Sequence, residues 1–274
     1  MTFIRVLTGT LLLGVGLAQA DPFHLYQQHC AACHGADRLG ASGPALLPEN
    51  LERLRKPDAL KVIREGRVAT QMPGFGQALS ASETENLAAW IYAAVGPRPQ
   101  WGEKDIRDSH IVHHAPGTLP DKPLFAADPL NLFVVVETGD HHVTILDGDR
   151  LEPIHRFASR YALHGGPKFT PDGRFVFFAS RDGWISKFDL WNLKTVAEVR
   201  AGLDTRNLAV SSDGKFVAVA NHEPRTLVIL DAGLQLLKIV VATDSSKRRS
   251  SRVALVRDSA PLRSFVAALP DLAE

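Results

Sequence analysis

A spacing of about 42 residues constrains this chain more than any other feature. Phe133-Val134-Val135-Val136, Phe175-Val176-Phe177-Phe178 and Phe216-Val217-Ala218-Val219 are short apolar runs bounded by turn residues, 42 and 41 residues apart. Asp147, Asp189 and Asp231 recur at intervals of 42. Asp172-Gly173-Arg174-Phe175 and Asp213-Gly214-Lys215-Phe216 place the same hairpin turn in successive units, and Ser264-Phe265-Val266-Ala267 starts a fourth. A repeat of this length holding several strands is the signature of propeller blades, which bury their faces against one another. Residues 121–274 make about 3.7 such units, with no capping helix or closing strand legible. The expectation is an incomplete all-β propeller, from a fragment of a longer protein or a truncated gene product.

Residues before Leu124 follow a different rhythm. Met1 to Arg5 is a short positive start, Val6 to Leu17 an apolar run, and Ala18-Gln19-Ala20 a small-x-small cleavage signal. The run is too short to span a bilayer, which needs about 20 residues. Residues 1–20 therefore read as a secretory peptide, with maturation at Asp21 and a product outside the cytoplasm. Residues 21–96 read as an all-α domain. Its clearest helix is expected from about Ala81 to Val95, with Ser80 and Glu83 as a capping box and Leu87, Trp90, Ile91 and Val95 on one apolar stripe. One or two short helices are expected from Glu49 to Gly66, with Pro57 opening the second. Residues 97–120, rich in proline and charge, read as a linker before the propeller at 121–274. The whole chain has 31 bases and 30 acids, and loss of Arg5 with the leader balances them. That balance argues against nucleic acid or an anionic membrane as partner.

The only two cysteines sit together in Cys30-Ala31-Ala32-Cys33-His34, the C-x-x-C-H pattern of covalent haem c attachment. Cysteines at i and i+3 of a helical turn share a face and can form two thioethers to the porphyrin. The adjacent His34 then supplies an axial nitrogen to the iron. A disulfide closing so small a loop would constrain the unfolded chain very little. A thioredoxin-like pair wants a βαβ context, and a zinc site wants a second Cys or His pair; neither is present. Met72 is the sole methionine left after leader removal, in the loop Gln71-Met72-Pro73-Gly74-Phe75, and is the candidate sixth ligand. His/Met ligation raises the iron potential and suits electron acceptance. This half resembles class I cytochromes c over its whole length.

Farther on, Arg160-Tyr161-Ala162-Leu163-His164-Gly165-Gly166-Pro167-Lys168-Phe169 and Ser180-Arg181-Asp182-Gly183-Trp184 follow the c-type half. In that combination the mature chain resembles the cytochrome cd1 superfamily, which joins a c domain to an eight-bladed propeller holding haem d1. About half of that propeller is present. The resemblance implies that His164, in its Tyr-x-x-His pattern, ligates the iron of haem d1, and that Arg181 and Arg206 meet its carboxylates. Bidentate guanidinium–carboxylate pairing gives arginine that role. The alternative is that both arginines pair with the turn acids Asp182 and Asp204. Gly165-Gly166-Pro167 and Glu137-Thr138-Gly139-Asp140-His141-His142 depart from the nitrite reductases and are similar to the biosynthetic branch of the superfamily.

That likeness implies a periplasmic oxidoreductase that removes two hydrogens from a propionate of dihydro-haem d1, with electrons leaving through haem c to a periplasmic acceptor. His141 is the candidate catalytic base, because imidazole titrates near working pH; His142, or a residue of the missing blades, is its substitute. Other proteins of haem d1 biosynthesis and nitrite reductase are the implied partners. Two alternatives remain open here: a cytochrome cd1-type nitrite reductase, and a plain electron-transfer cytochrome with a vestigial propeller.

Overall fold

The computed structural model describes residues 20–52, 54–96 and 100–272. The expected leader therefore lies, up to residue 19, outside the described residues. Five α-helices come first: α1 (Pro22–His29), α2 (Ala31–His34), α3 (Lys56–Glu65), α4 (Ala81–Tyr92) and α5 (Glu103–Asp108), with a 3-10 turn at Pro48–Leu51. None of the described helices is long and apolar enough to cross a membrane.

Helices α1 to α4 share one core of Leu25, Tyr26, Cys30, Leu51, Ile63, Leu87 and Ile91. The Tyr26 hydroxyl donates to the carbonyl of Gly35 at 2.7 Å, tying α1 to the turn after α2. Both bonds of the capping box form at the start of α4: Glu83 N–H to Ser80 Oγ, and Ser80 N–H to Glu83 Oε2. The helix ends earlier than the apolar stripe suggests, at Tyr92 rather than Val95. Arg38 provides the reason. Its buried guanidinium donates to the carbonyls of Trp90, which also accepts the Ala93 N–H, and of the C-cap Ala93, and lies 4.8 Å over the Trp90 ring.

Apart from 3-10 turns at Ala260–Leu262 and Pro270–Leu272, the remaining described elements are strands: β1 (Ile111–Val112), β2 (Leu132–Glu137), β3 (His142–Asp147), β4 (Pro153–Ala158), β5 (Leu163–Phe169), β6 (Phe175–Ser180), β7 (Trp184–Asp189), β8 (Lys194–Arg200), β9 (Asp204–Val210), β10 (Phe216–Glu223), β11 (Thr226–Asp231), β12 (Leu236–Val241), β13 (Leu255–Ser259) and β14 (Ser264–Ala268). They form four antiparallel sheets, ordered β2-β3-β4, β1-β8-β7-β6-β5, β12-β11-β10-β9 and β13-β14. This is a partial propeller after a helical unit. Strands β5, β9 and β13 stand at matching edges of successive sheets and touch in sequence.

Each repeated residue does a repeated job. Asp147, Asp189 and Asp231 end β3, β7 and β11, each the next-to-last strand of its blade, and each Oδ1 accepts the N–H two residues on, at 2.8–2.9 Å. In the hairpin turns, Asp172 and Asp213 accept from Arg174 and Lys215 N–H, while Gly173 and Gly214 take φ near +70°. The central blades interlock through Phe177, Ile185, Val199, Leu208, Val217 and Leu230.

The segment 100–112 packs against blade two. Ile106 of α5 is buried in that same core, the Trp101 indole donates to the Arg200 carbonyl at 2.9 Å, and β1 adds a fifth strand outside β8.

Candidate functional site

Two constellations carry the chemistry. The first is built on α2, whose single turn places Cys30 just before it and Cys33 and His34 within it. Cys30 is buried, and burial pushes its thiol up to about 11. A dithiol redox pair needs the opposite shift, so that rival reading finds no support. Cys33 is exposed and His34 is buried. The His34 Nδ1 lies 2.8 Å from the carbonyl of Pro44; a carbonyl only accepts, so Nδ1 carries the proton and Nε2 keeps its lone pair. The loop holding Pro44 is packed onto the ring. A Cβ at Gly43 would stand 3.0 Å from His34 Cε1, and Gly43 N–H donates to the Cys33 carbonyl at 2.7 Å. Two thiols and a buried imidazole with a free Nε2 on one helical turn fit a covalently attached haem. Met72 is half-buried in the loop after α3, where Phe75 and Gly76 N–H groups donate to the Ile63 and Arg64 carbonyls.

The second constellation spans β5, the end of β6 and β9. His164 stands exposed on β5, and its Nδ1 lies 2.7 Å from the carbonyl of Arg206 on β9. By the same reasoning its Nε2 is the lone pair presented outward. Arg181, just past β6, donates its N–H to the Ala162 carbonyl and accepts from Thr205 N–H, which locks it between the same two strands. Arg206 pairs with Asp204 at 2.9 Å, as the turn-acid alternative expects. Burial raises the Asp204 pKa against the pull of Arg206, Arg181 and His164. The pair is left incompletely satisfied: Arg206 Nε and Asp204 Oδ1 are buried without hydrogen-bond partners among the described residues. An outward Nε2 beside a buried, under-bonded guanidinium fits a ligand that brings both iron and carboxylates. Asp182 instead accepts the Ser180 hydroxyl, and burial raises its pKa.

His141 lies on the rim of this region in the left-handed conformation, φ 60°. Its ring meets Tyr161 edge-on at 5.0 Å. Burial lowers its pKa, against a raising effect of Asp140. The N–H of Ala162 approaches Nδ1 at 3.5 Å, too long to fix the tautomer. His142 points elsewhere, with Nδ1 bonded to the Asp140 carbonyl at 2.9 Å. The cytochrome-like loop reaches this rim: a Cβ at Gly139 would stand 3.2 Å from the Ala69 carbonyl.

Lys168 is a site neighbour that the sequence reading passed over. Its Nζ donates to the carbonyls of Gly165 and Gly166, next to His164, and burial together with Arg257 on β13 lowers its pKa. The signal was present in Gly165-Gly166-Pro167-Lys168: two glycines at φ +82° and +71° turn carbonyls to one side, where a cation collects them. Among the described residues no cluster of three or more His, Cys, Asp or Glu could hold a metal ion.

Residues 127–274 match the family described as Cytochrome D1 heme domain, and residues 18–91 match Cytochrome C oxidase, cbb3-type, subunit III. The chain is 57% identical over 276 residues to the dihydro-heme d1 dehydrogenase of Pseudomonas aeruginosa, covering 100% of this chain and 56% of that protein. It is 27% identical over 271 residues to a nitrite reductase of Stutzerimonas stutzeri, covering 87% of this chain and 47% of that one. A solved structure of "Dihydro-heme d1 dehydrogenase NirN in complex with DHE" superposes with a TM-score of 0.85 at 59% identity, over 92% of this chain and 54% of that one. The chain thus spans about half the length of these relatives.

Proposed function

Because the chain belongs to the Cytochrome D1 heme domain family, we propose that it is a periplasmic c-type cytochrome oxidoreductase of haem d1 biosynthesis, oxidising dihydro-haem d1 to haem d1. The observation that carries this reading is the outward Nε2 of His164, fixed by its Nδ1 bond to the Arg206 carbonyl. Similarity to the dehydrogenase at 57% identity, against 27% to the nitrite reductase, supports dehydrogenation over nitrite reduction. The Arg206 Nε, buried without a hydrogen-bond partner among the described residues, favours a ligand-holding propeller over a vestigial one.

In this reading Cys30 and Cys33 would hold haem c covalently, and His34 and Met72 would ligate its iron. Haem c supplies a one-electron carrier between the substrate and an external periplasmic acceptor. His164 binds the iron of the substrate, and Arg206 and Arg181 orient its carboxylates by charge-assisted hydrogen bonds. Two hydrogens leave the propionate as two protons and two electrons. His141, kept neutral by burial, is the base for one of those protons. The domain plan of residues 1–20 as export leader, 21–96 as cytochrome, 97–120 as linker and 121–274 as partial propeller belongs to this proposal, as do partner proteins of haem d1 biosynthesis.

The test is to mix the haem c-loaded protein with dihydro-haem d1 and follow visible bands and product. Binding with conversion to haem d1, and no nitrite turnover, is expected. Nitrite turnover without dehydrogenation would select the reductase, and absence of binding the plain cytochrome.

A further inference from the structure

Arg200, at the end of β8, is 8% exposed and belongs to neither constellation. Its Nε donates to the carbonyl of Asp182 at 2.8 Å, and its Nη2 donates to the carbonyl of Leu39 in the helical unit. The guanidinium lies 4.8 Å over the Trp101 ring. Its backbone is used as fully: Arg200 N–H donates to Ser109 Oγ, and its carbonyl accepts the Trp101 indole. One residue thus joins the helical unit, the connecting segment and the propeller.

What it joins is specific. On one side, Gly40 N–H donates to the His34 carbonyl at 2.8 Å, and Leu46 N–H to the Arg38 carbonyl at 2.9 Å. Gly40 has φ +85°, and a Cβ there would stand 2.9 Å from Ala45 N, so the loop carrying the Leu39 carbonyl is fixed against His34. On the other side, Asp182 follows Arg181, whose backbone is bonded to Ala162 and Thr205, the neighbours of His164 and Arg206. The frameworks of the two histidine sites therefore meet at a single guanidinium. Its planar fork holds two carbonyls from separate segments in fixed directions, whereas a lysine ammonium is a shorter point donor on a flexible stem.

We propose that Arg200 is a positioning residue that clamps the His34 loop to the Arg181 turn and so sets the separation of the two iron sites. The clamp matters for turnover only on the oxidoreductase reading above, but it is testable without it. Domains joined by small polar interfaces move relative to one another by default. Removing the clamp should release that motion.

The experiment measures, by pulsed dipolar spectroscopy, the distance between ferric haem c iron and a nitroxide on Lys215→Cys, an exposed turn position of blade three. The full chain loaded with haem c is used; its own cysteines are taken up by thioethers. A narrow distribution is expected for the parent, and a distribution broadened by about twofold for Arg200→Ala. Arg200→Lys should fall between them. An unchanged width in Arg200→Ala would overturn the proposal. If that variant does not fold, Arg200→Lys decides alone: parental width overturns the proposal and broadening supports it. Where dihydro-haem d1 turns over, kcat should fall in Arg200→Ala while KM holds. Failure of all turnover in the parent would count against the function and leave the distance result standing.

Discussion

His34 donates from Nδ1 to the carbonyl of Pro44, ten residues along the chain, whereas His164 donates from Nδ1 to the carbonyl of Arg206, 42 residues away in the next blade. Both rings are therefore fixed in the tautomer that leaves the lone pair on Nε2. Their surroundings are opposite: His34 is buried, and His164 is exposed on the strand edge. A buried ring next to two thiols suits an occupant attached once and kept. An exposed ring beside guanidiniums suits one that arrives, is changed and departs, as a substrate must. On the proposed function, the same orienting device would serve a resident group and an exchangeable one, with covalent thiols and burial making the difference.

That contrast can be broken at several points. The largest effect is expected from His34→Ala, which should abolish the low-spin haem c spectrum while the colour stays attached through Cys30 and Cys33 in acid-acetone extraction. Colour lost to the solvent would show that the thiols do not hold the group. Next comes His141→Gln, expected to lower kcat by about 10²- to 10⁴-fold, the usual range for a general base. Burial favours neutral imidazole, so the acid limb of the parent kcat/KM profile should lie below the free-histidine value of about 6.5. Activity is lost as pH falls through that limb, because protonation removes the base, and the variant should lack the limb. A parent profile flat across that range would remove His141 from this role.

The two orienting contacts can also be compared through their glycines, with smaller effects. At Gly165 an added Cβ would stand 2.8 Å from the Arg206 carbonyl at φ +82°, so Gly165→Ala carries both clash and backbone strain. Strain of that kind costs about 1–3 kcal/mol, and dihydro-haem d1 should bind roughly 5- to 100-fold more weakly by titration. At Gly43 the Cβ would meet the edge of the His34 ring at 3.0 Å and the Cys33 carbonyl at 3.2 Å, with no left-handed backbone strain. Gly43→Ala should keep haem c and lower the thermal midpoint by a few degrees, for a cost of about 1 kcal/mol. The reverse ranking would mean that the loop over His34, not the strand pair at His164, is the more rigid frame.

Both sites differ in how far they can be read from residues alone. Cys30, Cys33 and His34 lie within five positions on one helical turn, so spacing carries their geometry. The propeller repeat was equally legible, because the Asp147, Asp189 and Asp231 turns recur at the blade length. His164 and Arg206 are brought together by that same length of 42 residues, but only the strand pairing reveals that a backbone carbonyl, not the arginine side chain, orients the imidazole. The end of α4 at Tyr92 was not legible, since Arg38, 52 residues before Trp90, decides it. Nor was Arg200, whose partners Leu39, Trp101 and Asp182 come from three separate segments.

The central claim is that the propeller half holds its ligand through one iron bond from His164. The direct measurement is to titrate His164→Ala, loaded with haem c, with dihydro-haem d1, recording visible bands and product. The account predicts that the low-spin haem d1-type bands and turnover disappear while the haem c bands stay at parental position and intensity. Binding and turnover at parental levels would contradict it.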